Sequence, residues 1–159
     1  MSLHIRRAVI RDAEAVAQQN RDAAREDGHA NSGFAVEQIR MHAFGPSPVI
    51  EILVGEEQGK LLAHSITYRG YDMRAGQTTQ VVAALYVAPE GRRKGVARIM
   101  MSAIARRARE RGCRRIHITT GQQNAVAHRF YAAIGAKEEQ QASFMLAADA
   151  IEWLAAESH

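Results

Sequence analysis

The chain has 159 residues, 47% of them apolar and 24% charged; these are the proportions of one folded domain that closes a core without disulfides or a structural metal, and they argue against disorder. Its single cysteine, Cys113, excludes an intrachain disulfide and reads as a small core residue in a reducing compartment, the cytoplasm, while the lack of a signal-like start or an apolar run of about 18 residues argues against export and membrane spanning. The formal charge of +4 is local, because ten of the 21 Lys and Arg residues fall between Arg92 and Arg115 with Glu110 as the only carboxylate among them; such a cluster suits a phosphate-bearing ligand, nucleic acid or a solvated helix face.

Residues 4–9 are predicted to form a first strand, followed by a helix with Asp12 as N-cap, running towards Asp27 and ended by Gly28. A short helix over 36–43 leads into Phe44-Gly-Pro-Ser-Pro, whose two prolines impose a loop. Residues 49–54 and 61–68 are rich in β-formers and flank the turn candidates Gly55 to Lys60; a third strand follows over 78–87. Pro89 and Gly91 stop that strand, and a helix begins near Gly95. Its apolar positions Val96, Met100, Ile104 and Ala108 step by four, with Ala97 and Met101 beside them, so one face is core. Gly112 closes this helix, and residues 115–120 alternate polar and apolar as a half-buried strand does. Asn124 caps another helix through Ile134, ended by Gly135. Residues 143–147 are expected to return as a last strand and 150–156 to form a short terminal helix.

Three strands in succession without intervening helices predict an antiparallel region, and the strand, helix, strand, helix order from Val81 to Ile134 predicts a parallel one. The expectation is a mixed α/β sheet in a single domain over residues 1–159. Its functional crevice is expected where the loop after Val87 meets the helix starting at Gly95.

That loop has the chemistry of a diphosphate site. A helix N-terminus offers unpaired N–H groups and the positive end of the helix dipole. Arg92, Arg93 and Lys94 add charge, Gly95 removes the side chain where a phosphate approaches the backbone, and Ala97 keeps the first turn open. The spacing fits neither Gly-x-x-x-x-Gly-Lys-Ser/Thr nor Gly-x-Gly-x-x-Gly.

The run Leu85-Tyr-Val-Ala-Pro-Glu-Gly-Arg-Arg-Lys-Gly-Val-Ala resembles the core motif of the GCN5-related N-acetyltransferases, in which Arg92, Gly95 and Ala97 match Arg/Gln-x-x-Gly-x-Gly/Ala. Asn124-Ala-Val-Ala-His-Arg-Phe-Tyr-Ala-Ala-Ile-Gly-Ala is similar to the later motif of the same family. Phe44-Gly-Pro-Ser-Pro, Tyr68-Arg-Gly-Tyr-Asp and the C-terminal segment resemble its diamine and thialysine acetyltransferase branch. The chain departs from that branch at Ala83-Ala84, where an acidic pair is expected.

The resemblance implies a mixed sheet of six to seven strands flanked by about four helices, and acetyl-CoA as cosubstrate. It implies that the main chain of Leu85 and Val87 binds the pantetheine arm as an added strand would, with Tyr86 between them. Arg92, Arg93, Lys94, Gly95, Val96, Ala97 and Arg98 would hold the diphosphate, with Asn124 and Phe130 also contacting the coenzyme. Tyr131 takes the position of the general acid, since a phenol of pKa about 10 keeps its proton at neutral pH; its plain alternative is a core tyrosine beside Phe130. The acceptor would be a primary amine selected by residues 25–48, with small amines, amino-acid-like molecules, aminoglycosides and protein N-termini all open, the reaction direct attack, and the assembly a homodimer.

For the base, His64, Asp72, Tyr86, His117 and a water chain stand as candidates. His42, His64, His117 and His128 lack metal-ligand spacing. Two competing readings remain: a CoA-binding regulatory protein without turnover, and nucleic-acid binding through the basic cluster, which lacks aromatic platforms.

Overall fold

The computed structural model describes residues 2–30 and 32–157, and two compact units divide the chain at Gly121. The first unit contains β1 (His4–Arg7), α1 (Ala13–Glu26), α2 (Val36–Phe44), β2 (Glu51–Glu57), β3 (Lys60–Asp72), β4 (Gln77–Val87), α3 (Val96–Glu110) and β5 (Arg115–Ile118). The strands lie side by side in chain order. β1 to β4 pair antiparallel, as expected for strands joined without helices, and β5 pairs parallel to β4 after the α3 crossover.

The turn between β2 and β3 consists of Gln58 and Gly59, both left-handed at φ 51° and 77°, a geometry that follows the twist of the two strands. Period-2 alternation divides the sheet into faces. Ile52, Val54 and Ile66 pack against Ala13, Val16 and Ala17 of α1 and Ile39 of α2; each buried Val or Ile contributes roughly 1.5–3 kcal/mol. On the other face Gly55 meets α3, where a Cβ would lie 3.4 Å from Met100 Sδ. The predicted stripe of Val96, Met100, Met101, Ile104 and Ala108 is the buried face of α3.

Two expectations are corrected. The Asp12 side chain does not cap α1. A 3-10 turn over Ile10–Asp12 precedes the helix, and the carboxylate reaches back to accept from the Val9 N–H at 2.7 Å and from Arg6 Nη1 and Nη2 at 2.7 and 3.0 Å. The sheet of the described residues has five strands instead of six to seven, beside five α-helices. Residues 143–147 belong to no strand, because a short apolar run forms one only where a neighbouring backbone completes the ladder; Phe144 is 94% exposed.

The second unit carries α4 (Ala125–Ala133) and α5 (Ala148–Ala155). Asn124 caps α4 as expected, its Oδ1 accepting the Ala127 N–H at 3.0 Å.

Candidate coenzyme site

β4 pairs with β5 only over Thr79 to Val82; the last contact is a long one, 3.5 Å from the Thr119 N–H to the Val82 carbonyl. Beyond it, among the described residues, no strand lies against residues 83–87 on the β5 side, while β3 stays paired along the other. A bulge sits at the same place: Thr67 pairs with Val82 and Ile66 with Ala84, which leaves Ala83 as the extra residue.

The bulge decides which groups face the opening. Ala88 N–H donates to the Leu62 carbonyl, and His64 pairs with Tyr86 in the same register. Alternation therefore turns the N–H and C=O of Tyr86 towards β3, and those of Leu85 and Val87 away from it. The two residues singled out for main-chain pairing are the two whose main chain faces the open edge.

This edge runs through a 3-10 turn over Pro89–Gly91 into the loop and α3. Gly91 is buried, and a Cβ there would lie 3.1 Å from Val87 Cγ1, so the turn packs tightly on β4. Arg93 and Gly95 are both left-handed, at φ 59° and 77°. Lys94 between them is not, and such alternation curls successive amides towards one side. Arg93 is an uncommon left-handed non-glycine residue, a conformation that costs energy unless its surroundings hold it.

Arg92, Arg93, Lys94, Gly95 and Arg98 are exposed, Ala97 is half-buried and Val96 is buried. A Cβ on Gly95 would meet nothing within 4 Å. Open space over the amides that begin α3, with cationic side chains around it, fits a diphosphate. The open edge fits an extended, amide-bearing arm.

Arg92 departs from the simple picture of a base aimed at phosphate. Its Nε donates to the Val87 carbonyl at 2.9 Å and its Nη2 to both oxygens of Glu26, at 2.7 and 2.8 Å. The guanidinium carbon lies 5.7 Å from the centre of the Tyr86 ring, and Tyr86 Oη donates to Glu26 Oε1 at 3.3 Å. Burial, and next the Glu26 charge, push the Tyr86 phenol above its ordinary pKa. Glu26 lies 66 residues from Arg92 in sequence, and no local pattern pointed to it.

Tyr86 also leans on His64, with ring centroids 5.9 Å apart. His64 is fully buried, with Nδ1 2.8 Å from Gln19 Oε1 and Nε2 3.3 Å from Asn20 Oδ1. Burial lowers its pKa to about 4, which makes it a neutral packing residue of the layer under α1 and a poor base. Asp72 accepts the N–H groups of Arg74 and Ala75 and pairs with Arg115; these bonds, the Ala75 one first, hold its carboxyl below the ordinary range. It serves the β3–β4 turn.

In the second unit Tyr131 and Phe130 stand together on α4, with ring centroids 5.2 Å apart. Burial raises the Tyr131 pKa, so at neutral pH it carries its proton. Among the described residues no group of three His, Cys, Asp or Glu side chains is arranged to hold a metal ion, and no helix is long and apolar enough to cross a membrane.

Residues 13–136 match the acetyltransferase (GNAT) family. The chain belongs to this family. Among curated proteins none matches it by sequence. Its fold is shared with an integron cassette protein from the mobile metagenome of V. cholerae, at 19% identity, with 99% of each chain covered and a TM-score of 0.80. It is also similar to a ribosomal-protein-alanine N-acetyltransferase from Brucella melitensis biovar Abortus, at 20% identity over 92% of this chain and 99% of that one, TM-score 0.73. An aminoglycoside N-acetyltransferase solved in complex with CoA resembles it at 18% identity over 92% of this chain and 95% of that one, TM-score 0.74. At these identities the likeness is one of fold.

Proposed function

We propose that this protein is an N-acetyltransferase that transfers the acetyl group of acetyl-CoA to a primary amine by direct attack. The observation that carries the reading is the open edge of β4, with the main chain of Leu85 and Val87 facing outward, running into the curled amides at the head of α3. Acetyl-CoA supplies the activated acetyl group as a thioester.

Leu85 and Val87 bind the pantetheine arm through main-chain hydrogen bonds, so their side-chain identity matters little there. Arg93, Lys94, Arg98 and the N–H groups from Gly95 through Ala97 neutralise the diphosphate. An N–H of the β4 edge polarises the acetyl carbonyl, where negative charge develops. Tyr131, which holds its proton at neutral pH, donates the proton that the departing thiolate takes up. Asn124 and Phe130 complete the coenzyme contacts on α4. The acceptor amine loses its proton through a water chain, since Ala83 and Ala84 supply no carboxylate and His64 is buried.

The family match crosses Gly121, which supports reading residues 1–159 as one domain. Small amines and amino-acid-like molecules are the proposed acceptors, in keeping with the aminoglycoside and ribosomal-protein enzymes that share the fold. A cytoplasmic homodimer, nearest the diamine and thialysine branch but without its acidic pair, completes the proposal. The second reading, a CoA-binding regulatory protein without turnover, draws on Ala83 and Ala84 alone.

Release of free thiol from acetyl-CoA across a panel of amines separates the two. Turnover with any amine supports the enzyme. Tight CoA binding with no turnover on the whole panel overturns it in favour of the silent protein.

A further inference from the structure

Glu26 is the last residue of α1, where the negative end of the helix dipole disfavours a carboxylate. Helix stability therefore does not explain it. The pair it forms with Arg92 is nearly half exposed, at 41% and 46%, and such a pair adds little to fold stability.

The contact of Nη2 with both Glu26 oxygens does fix where the guanidinium sits. It holds Arg92 over Tyr86, with Nε on the Val87 carbonyl. That carbonyl is the last outward-facing acceptor of the open β4 edge before the 3-10 turn. An extended ligand that pairs with the edge needs the same acceptor for its own N–H.

We propose that Glu26 is a positioning residue that clamps Arg92 across the end of the open β4 edge, so that an amide-bearing arm has to displace or share the Arg92–Val87 bond in order to bind. This inference rests on the coenzyme reading of that edge and adds a residue outside the family motifs. Glu26 and Val87 belong to different elements, and the guanidinium is the link between them. Neutralising Glu26 removes the charge that holds the guanidinium in place, and the Val87 acceptor becomes easier to reach.

Calorimetry on the full chain with two ligands tests this: CoA, and 3′-phospho-ADP, which has the nucleotide and diphosphate without the pantetheine arm. Glu26→Gln should bind CoA about three- to tenfold more tightly than wild type and change 3′-phospho-ADP binding less than twofold. Glu26→Ala should behave in the same way, and a helical circular dichroism spectrum checks that both variants are folded. Unchanged or weaker CoA binding overturns the clamp. An equal gain for both ligands also overturns it, because the released guanidinium would then be serving the phosphates. Wild-type protein that binds neither ligand sinks the coenzyme reading together with the clamp, whereas wild-type binding without the gain sinks the clamp alone.

Discussion

Gln19 decides the tautomer of His64. Its amide nitrogen donates to the Leu61 carbonyl at 2.9 Å, so the oxygen that it turns to His64 Nδ1, 2.8 Å away, is an acceptor. Nδ1 therefore carries the hydrogen of the neutral ring. The bare Nε2 faces Asn20 Oδ1 at 3.3 Å, and turning that amide over brings its NH2, which otherwise has no partner, onto Nε2.

This arrangement makes stability depend on pH. The unfolded chain binds a proton at His64 near the ordinary pKa of 6.5, the folded chain only near 4. Between those values the unfolded state holds more protons, so stability is full above about pH 6.5 and falls as pH drops towards 4, by about 3 kcal/mol in all. Urea midpoints measured across this window should show the slope, and His64→Gln should flatten it. A slope that survives the substitution would falsify the assignment.

A second, more acidic loss is expected from Glu51. Burial pushes its carboxyl up, but the hydrogen bonds from Arg107 and the charges of Arg111, Arg107 and Arg7 outweigh that and hold it below its ordinary value. Its contribution is present above about pH 4.3 and disappears as pH falls through the lowered folded value. Glu51→Gln, which strands three arginines around a neutral group, should cost about 2–3 kcal/mol at neutral pH. Thermal melts at pH 7 and pH 3 check this: the deficit at pH 7 should shrink at pH 3.

Arg93 tests the phosphate loop. Arg93→Ala should weaken CoA binding about tenfold, the scale of one charge-assisted bond, while turnover at saturating acetyl-CoA stays largely intact. A fall in kcat with unchanged KM for acetyl-CoA would place Arg93 outside the binding loop.

Tyr131→Phe tests the proton donor. Removing a general acid should lower kcat on the order of 100-fold, with CoA affinity altered much less. Parallel losses in kcat and coenzyme affinity would instead mark Tyr131 as a packing residue beside Phe130.

The readable features were those with local causes. The stripe from Val96 to Ala108, the left-handed closure at Gly112 and the Asn124 cap each follow from residues within a turn or two. Asp12 misled because three short-range partners compete for one carboxylate: a cap of α1, the Val9 N–H and Arg6. The arginine, held also by Glu56 on β2, decided the outcome. For residues 143–147 a short apolar run was present and a paired neighbour was not.

By itself, the sequence determined the kind of elements, their order and the basic glycine loop ahead of α3, because periodicity, capping and turn chemistry act over a few residues. The tertiary structure decided which main-chain groups of β4 face the opening, through a bulge at Ala83 and a ladder that stops at Val82. It also decided that Arg92 faces Glu26. Both depend on contacts between residues far apart in the chain, whose registry is fixed only when helices and strands pack together.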